Sequence, residues 1–496
     1  MVFGSFLPKG DSRLDSRLIL GVAAAFVLIQ LVFFPHMYLA IDEHEYLKNA
    51  SLISQGAFGE TNPGYACRSN VYNENGYISN YFIGRSLFLL PFLPFGFDAI
   101  MLSGTFIHLI NLLLIALLLS RLGVRKIYSL LYLFYPVLLW SSRTLYPELL
   151  VLTGFLAGTY FYLGQKNRDW VLSGFFFGLS VLARYDAIFG LVAFAIPAFF
   201  ADRKKFALFL AGAAPIGLLI LTFNSVAYSG ALNTGYGSGV GLLASVLKGV
   251  IDIDHIFYAI ILLVFYPLLL ASPYLSKGFV LKKEFALLTI FYFVLNAKFT
   301  SFLAFDFSLQ SAFVARLRYL IPLIGLLMVP YAFLISETLS RKKIELPKKA
   351  IYAVIILMLA GAAFASSEHT KLLGTRSGVL DEIRANIPEG SIVIGSSDDC
   401  IFFQKNFFGD RKYYNVDLGQ DLATNPEKIS LESLRGKNTY VLELRYGHRS
   451  ANTGERQDIV DAERAKMSDF IEANKGSLEL IYESSSPNQV AIYRWD

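Results

Sequence analysis

The chain has 496 residues, 54% of them hydrophobic and only 17% charged, with a mean hydropathy of +0.49. A soluble globular chain carries about 25% charged residues, so this composition excludes an ordinary soluble enzyme and points to repeated membrane crossings. The net charge of +5 is divided: residues 367–496 hold 16 Lys+Arg against 21 Asp+Glu, net −5, and the remainder is net +10, an excess that topology accounts for without nucleic-acid binding.

Lys9, Arg13 and Arg17 precede a first apolar run, Leu18 to Ala40. At about 1.5 Å per residue this run can cross a hydrocarbon core of about 30 Å. The positive-inside rule puts the N-terminus in the cytoplasm, and no cleavable signal peptide is evident. Asp42, Glu43 and Glu45 are therefore delivered to the outer interface, where carboxylates are expensive unless solvated, paired or used. Residues 41–98 read as a long outer loop with turns at Thr61-Asn62-Pro63-Gly64 and Asn73-Glu74-Asn75-Gly76. Within it, Ser86 to Phe95 is apolar but short and proline-broken, and is predicted to lie in the interface.

Further along, Ala99 to Ser120 leads in to Arg121, Arg125 and Lys126, and Ile127 to Ser142 leads out to a turn at Arg143-Thr144-Leu145-Tyr146-Pro147-Glu148. Leu149 to Gly164 returns to Lys166 and Arg168. Trp170 to Phe200 is too long for one span and is interrupted by Arg184-Tyr185-Asp186, which predicts two short helices with Arg184 and Asp186 at their outer tip. Phe206 to Tyr228 goes out to a glycine-rich loop, and Ile256 to Leu275 comes back. A weak span from Phe285 reaches the outer stretch ending Arg316-Leu317-Arg318-Tyr319. Leu320 to Ser336 and Ala350 to Ala365 are the last two crossings, separated by the basic stretch Arg341 to Lys349.

The fold class expected is a polytopic α-helical membrane protein of about eleven spans, N-terminus in and C-terminus out. Residues 1–366 form the membrane domain and 367–496 a small soluble extracytoplasmic α/β domain. In the latter, Ser391 to Gly395, Thr439 to Leu444 and Val490 to Arg494 read as strands, and Asp458 to Asn474 as an amphipathic helix. Asp398-Asp399-Cys400 could be a site, but an Asp pair in a turn is the expected account. Cys67 and Cys400, the two cysteines, could pair if both lie outside the cytoplasm, but the expectation is two unrelated thiols. No metal-ligand spacing is present, so no cofactor is required, although a divalent metal stays compatible.

An acid at the end of a span with arginines on the same face suits one chemistry. The carboxylate can deprotonate an acceptor, and the arginines can hold a phosphate leaving group by charge-assisted bonds. The chain also resembles the GT-C glycosyltransferases that use polyprenyl-phosphate sugars, the group of the protein O-mannosyltransferases and the lipid A aminoarabinose transferases. The resemblance rests on landmarks in order: Asp42-Glu43 with Tyr46, Gly76 to Tyr81 with Gly84 and Leu90-Pro91-Phe92, Tyr146-Pro147-Glu148, and Gly174 to Arg184. Asn224 with Gly230, Asn233-Thr234-Gly235-Tyr236, and Arg318-Tyr319-Leu320-Ile321-Pro322 complete it. Arg184 stands where the family commonly has lysine, and Cys67 and Arg68 have no counterpart.

The resemblance implies a plasma-membrane glycosyltransferase acting on the extracytoplasmic face by inverting displacement. Asp42 would be the base, Glu43 an orienting group and Glu148 a second acidic site residue, unless Glu148 only caps its helix. Arg318 and Tyr319 would meet the lipid phosphate, joined by Arg184, Arg316, Tyr46, Tyr81 and Tyr236. Arg184 could instead simply pair with Asp186, and Arg316 could snorkel. His44 and Glu45 are expected to be solvated. The partners implied are a polyprenyl-phosphate sugar, membrane lipids and a lipid, polysaccharide or protein acceptor. The alternative is a transporter or flippase of a lipid-linked sugar, which should show internal repeats and mid-span charges.

Overall fold

A computed structural model of the protein describes residues 12–38, 40–65, 71–235, 237–238, 266–296, 317–344, 347–396, 399–416, 429–436, 438–444, 457–484 and 489–496. Among these, five helical stretches are long and apolar enough to cross a membrane: Leu14–Val32, Ile83–Arg121, Arg203–Tyr228, Leu317–Arg341 and Lys349–Asn386.

The first helix, α1 (Ser12–Val32), begins with a buried Asp15 whose carboxylate pairs with Arg125 at 2.7 Å. After it, α2 (Ile41–Ser54) carries the acidic stretch, and a hairpin, β1 (Val71–Asn73) with β2 (Gly76–Ile78), comes next. The apolar segment expected in the interface is helical but not continuous: Gly96, at φ 84°, separates it from the helix that comes next. It forms α3 (Ile83–Leu89) and a 3-10 stretch through Pro91 and Pro94, and α4 (Gly96–Arg121) follows.

The span expected over Ile127 to Ser142 is not one helix. It breaks into a 3-10 turn (Lys126–Ser129), α5 (Leu130–Leu133) and α6 (Pro136–Ser141). Pro136 accounts for the break, since it has no N–H to donate and drives the residue before it out of the helical region; Tyr135 is extended. Beyond the turn come α7 (Glu148–Tyr162) and α8 (Asn167–Ala183). The interruption read from Arg184-Tyr185-Asp186 is present: Arg184 is extended, a 3-10 turn succeeds it, and α9 (Ile188–Ala201) starts afresh. Asp202 then caps α10 (Arg203–Tyr228) by accepting from the N–H groups of Lys204 and Lys205.

Glycines fix how closely α8 and α10 cross. A Cβ on Gly174 would lie 1.7 Å from the Phe209 carbonyl oxygen, and one on Gly212 would lie 1.9 Å from that of Val171. The two backbones touch directly, as small residues allow between membrane helices. Past a short hairpin, β3 (Asn233–Thr234) with β4 (Gly237–Ser238), come α11 (Ser272–Leu275), α12 (Lys282–Asn296) and α13 (Ile321–Arg341). Leu323, Leu326, Leu327 and Val329 of α13 are buried in the main apolar cluster with Leu152 and Phe155 of α7.

The last long helix, α14 (Lys348–Asn386), runs 39 residues without a break. Arg143 fastens it to α1, donating to Gln30 Oε1 (2.6 Å), His369 Nδ1 (2.9 Å) and Thr370 Oγ1 (2.8 Å). Beyond it lie β5 (Ile392–Gly395), α15 (Lys405–Phe408), β6 (Lys412–Asn415), β7 (Thr439–Leu444), α16 (Gln457–Ala473), β8 (Leu478–Glu483) and β9 (Val490–Trp495). Their sheet has the order β6-β5-β7-β9-β8, with β5 parallel to β6 and β7, and β9 antiparallel to β7 and β8. One face of this sheet shares an apolar cluster with Tyr38, Tyr46 and Leu47, so it packs against α2.

Candidate active site

Asp42 lies in the first turn of α2. Its Oδ1 accepts from the Tyr81 hydroxyl at 2.6 Å, and its Oδ2 pairs with Arg318 Nη2 at 3.2 Å. Both side chains of that pair are under one fifth exposed. Tyr46, one turn on, packs its ring edge-on against Tyr81 at 5.4 Å. Asn80, before Tyr81, is pressed by Gly235, where a Cβ would come within 2.3 Å of the Asn80 Cα. Tyr228 also donates to the Ser79 carbonyl at 3.0 Å. Two landmarks distant in sequence thus fix one tyrosine.

Arg318 sits in a 3-10 turn just ahead of α13. Its guanidinium lies 4.6 Å from the Tyr146 ring centroid and 4.8 Å from that of Tyr319, and Nη2 also donates to the Tyr319 hydroxyl at 2.9 Å. Arg184 shares the Tyr319 ring, also at 4.8 Å. It is held by two carboxylates, Glu148 at 2.7 Å and Asp186 at 2.9 Å. The pairing of Arg184 with Asp186 is present, and Glu148 joins it. Next to it, Tyr185 donates to Asn224 Oδ1 at 2.5 Å, which brings in a further landmark.

Glu43 is fully buried. One oxygen accepts from the Ala40 N–H at 3.2 Å, the other from the Leu145 N–H at 2.7 Å. The expectation that His44 and Glu45 are solvated does not hold. Both are buried, and Glu45 pairs with Lys48 at 2.7 Å. Tyr236 and Arg316 lie outside the described residues. Among the described residues no group of three or more His, Cys, Asp or Glu is placed to hold a metal ion. Cys400 is disulfide-bonded, so two unrelated thiols is not what the structure has; Cys67, the chain's other cysteine, lies outside the described residues.

The sequence alone gives no role to two residues here. Tyr146 is only a landmark in it, and Arg85 carries no motif, although an arginine at the head of an apolar run is itself a signal. Chemically, the cluster offers a carboxylate with a hydroxyl to orient it, next to a cation that an incoming anion could engage.

No family model matches the chain, and no curated protein matches it by sequence. Solved structures do. The ArnT of Cupriavidus metallidurans in the apo state superposes with a TM-score of 0.61 at 11% identity, over 96% of this chain and 98% of that one. The same protein bound to undecaprenyl phosphate gives 0.59 at 11% identity, with the same coverage. The Archaeoglobus fulgidus oligosaccharyltransferase in the apo form gives 0.49 at 11% identity, over 87% of this chain and 69% of that one. The likeness to ArnT is one of fold.

Proposed function

We propose that this chain, which has the fold of the GT-C superfamily, is an integral-membrane glycosyltransferase. It would move a sugar from a polyprenyl-phosphate donor to an acceptor on the extracytoplasmic face. The observation that carries the reading is the Asp42–Arg318 pair at 3.2 Å, with Tyr81 holding the other carboxylate oxygen. An inverting displacement needs a base on the acceptor side of one carbon and a phosphate ligand on the leaving side, so both groups must be held within one site. The Cys400 disulfide favours an oxidising compartment for the C-terminal sheet. The solved ArnT complex holds undecaprenyl phosphate, a ligand of the chemical kind proposed here.

Both Asp42 oxygens are engaged, one by Tyr81 and one by Arg318. The donor phosphate takes over Arg318 and frees Oδ2, while Tyr81 keeps the carboxylate oriented. Asp42 then accepts the acceptor's proton as the acceptor oxygen or nitrogen attacks the anomeric carbon. The bond from that carbon to the phosphate oxygen breaks, and the electron pair leaves on the lipid phosphate. One displacement inverts the anomeric centre. Arg184 already faces two carboxylates and Arg318 one, so Arg318 is the principal phosphate ligand and Arg184 steadies the shared Tyr319 ring.

The test is transfer of labelled sugar from a panel of polyprenyl-phosphate sugars to membrane acceptors. Asp42→Asn is expected to lose about 10²- to 10⁴-fold in rate, the range for a general base, with its thermal midpoint retained. Full activity in that variant sinks the assignment. Donor scrambling across proteoliposomes without transfer would instead favour a transporter.

A further inference from the structure

Arg85 is fully buried at the third residue of α3 and makes no ion pair among the described residues. A buried guanidinium without a bonded carboxylate is costly and persists where its geometry is needed. Its Nε donates to the Leu145 carbonyl at 2.9 Å, and its Nη2 to Ser103 Oγ at 3.0 Å. The N–H of Leu145 goes to Glu43 at 2.7 Å. One residue of the 143–148 turn is therefore held from both sides by charged side chains. The turn is also pressed by α4, since a Cβ on Gly104 would lie 2.6 Å from the Thr144 carbonyl oxygen.

The next residue, Tyr146, carries the Arg318 guanidinium, and Glu148 holds Arg184. The contacts close a ring. Asp42 pairs with Arg318, Arg318 stacks on Tyr146, Tyr146 is bonded to Leu145, Leu145 donates to Glu43, and Glu43 is bonded to Asp42. Arg85 braces this ring from outside. It also adds a third guanidinium to Arg184 and Arg318, against the carboxylates of Asp42, Glu43, Glu148 and Asp186.

We propose that Arg85 is a positioning residue that, through the Leu145 peptide, aims Arg318 at the donor phosphate and holds Asp42 beside it. The proposal rests on the glycosyltransferase reading but is tested by binding as well as by turnover. The probe is a polyprenyl phosphate without sugar, titrated into the purified full-length protein in detergent. Arg85→Lys keeps a cation but cannot reproduce the fork that grips Leu145 and Ser103. It is expected to raise the Kd for the lipid phosphate and the donor KM by about tenfold, the scale of one lost hydrogen bond made by a charged group. The active fraction should be unchanged. Ser103→Ala removes one of the two anchors and should move both constants in the same direction by less.

A merely structural role predicts something different, a lower thermal midpoint and a smaller active fraction, with Kd and KM of the surviving protein unchanged. That result, or unaltered constants in a fully active Arg85→Lys, overturns the proposal. A wild type that binds the lipid phosphate yet transfers no sugar overturns the transferase reading while the Kd comparison still judges Arg85. A wild type that binds none overturns both.

Discussion

His44 stands two residues beyond Asp42, yet it is 3% exposed, and its Nδ1 has no hydrogen-bond partner. Burial, with Lys48 nearby, pushes the imidazole down to about 3. The unfolded chain titrates this group near 6.5, so at acid pH the unfolded state binds a proton that the folded state refuses. Stability is full above about 6.5 and is lost as the pH falls toward 3, by roughly 2 kcal/mol at pH 5. The thermal midpoint in detergent should therefore drop between pH 7.5 and pH 5, and the drop should shrink in His44→Phe. An equal drop in that variant assigns the titration to another group. At this scale the sequence made Asp42 and Arg318 legible, because a charge at the end of an apolar run must be used or paired. It hid the burial of His44. Tyr38, beside His44, packs on Phe408 at 5.6 Å, and no local pattern shows that a residue so distant in the chain covers this face.

Between elements, the crossing of α3 over the end of α8 sets where Arg184 begins. A Cβ on Gly84 would lie 2.4 Å from the Leu182 carbonyl oxygen, two residues before Arg184. Gly84→Ala must push that helix end away from Glu148 and Asp186. Overpacking of this kind costs about 1–3 kcal/mol, and misplacement of about 1 Å in a site can cost about 10²-fold in rate. Gly217→Ala on α10, where a Cβ meets nothing within 4 Å, is the control and should leave rate and midpoint unchanged. Equal behaviour of the two variants would refute the close-crossing account. The interruption at Arg184 was readable because a polar triplet cannot continue an apolar span cheaply. The break at Pro136 was also written in the chain, but hydropathy is blind to it, since the run stays apolar through the proline. Pro91 and Pro94 suggested a broken piece, and there the chain does leave the α-helix for a 3-10 stretch and a Gly96 at φ 84° before α4 starts.

Taken whole, the molecule ties its end to its beginning. The C-terminal sheet rests on α2, Tyr65 of the first long loop donates to Asp410, and Lys405 lies 4.7 Å from the Tyr65 ring centroid. Three of the five strands of this sheet were legible. The short β6 and the exposed edge strand β8 lack the alternation that reveals strands. Thiol labelling of the denatured protein should find no reactive cysteine before reduction. Cys400→Ser should expose one thiol and cost about 2–4 kcal/mol of stability. Labelling of the unreduced wild type would contradict the disulfide. The unbroken course of α14 from its apolar part to Asn386 makes the seating of the sheet a matter of rotational phase. Each residue of a helix turns the chain beyond it by about 100° and advances it by about 1.5 Å. One alanine inserted midway would swing the sheet's docking face off α2. Seven would bring the face back into phase but carry it about 10 Å too far along the helix axis.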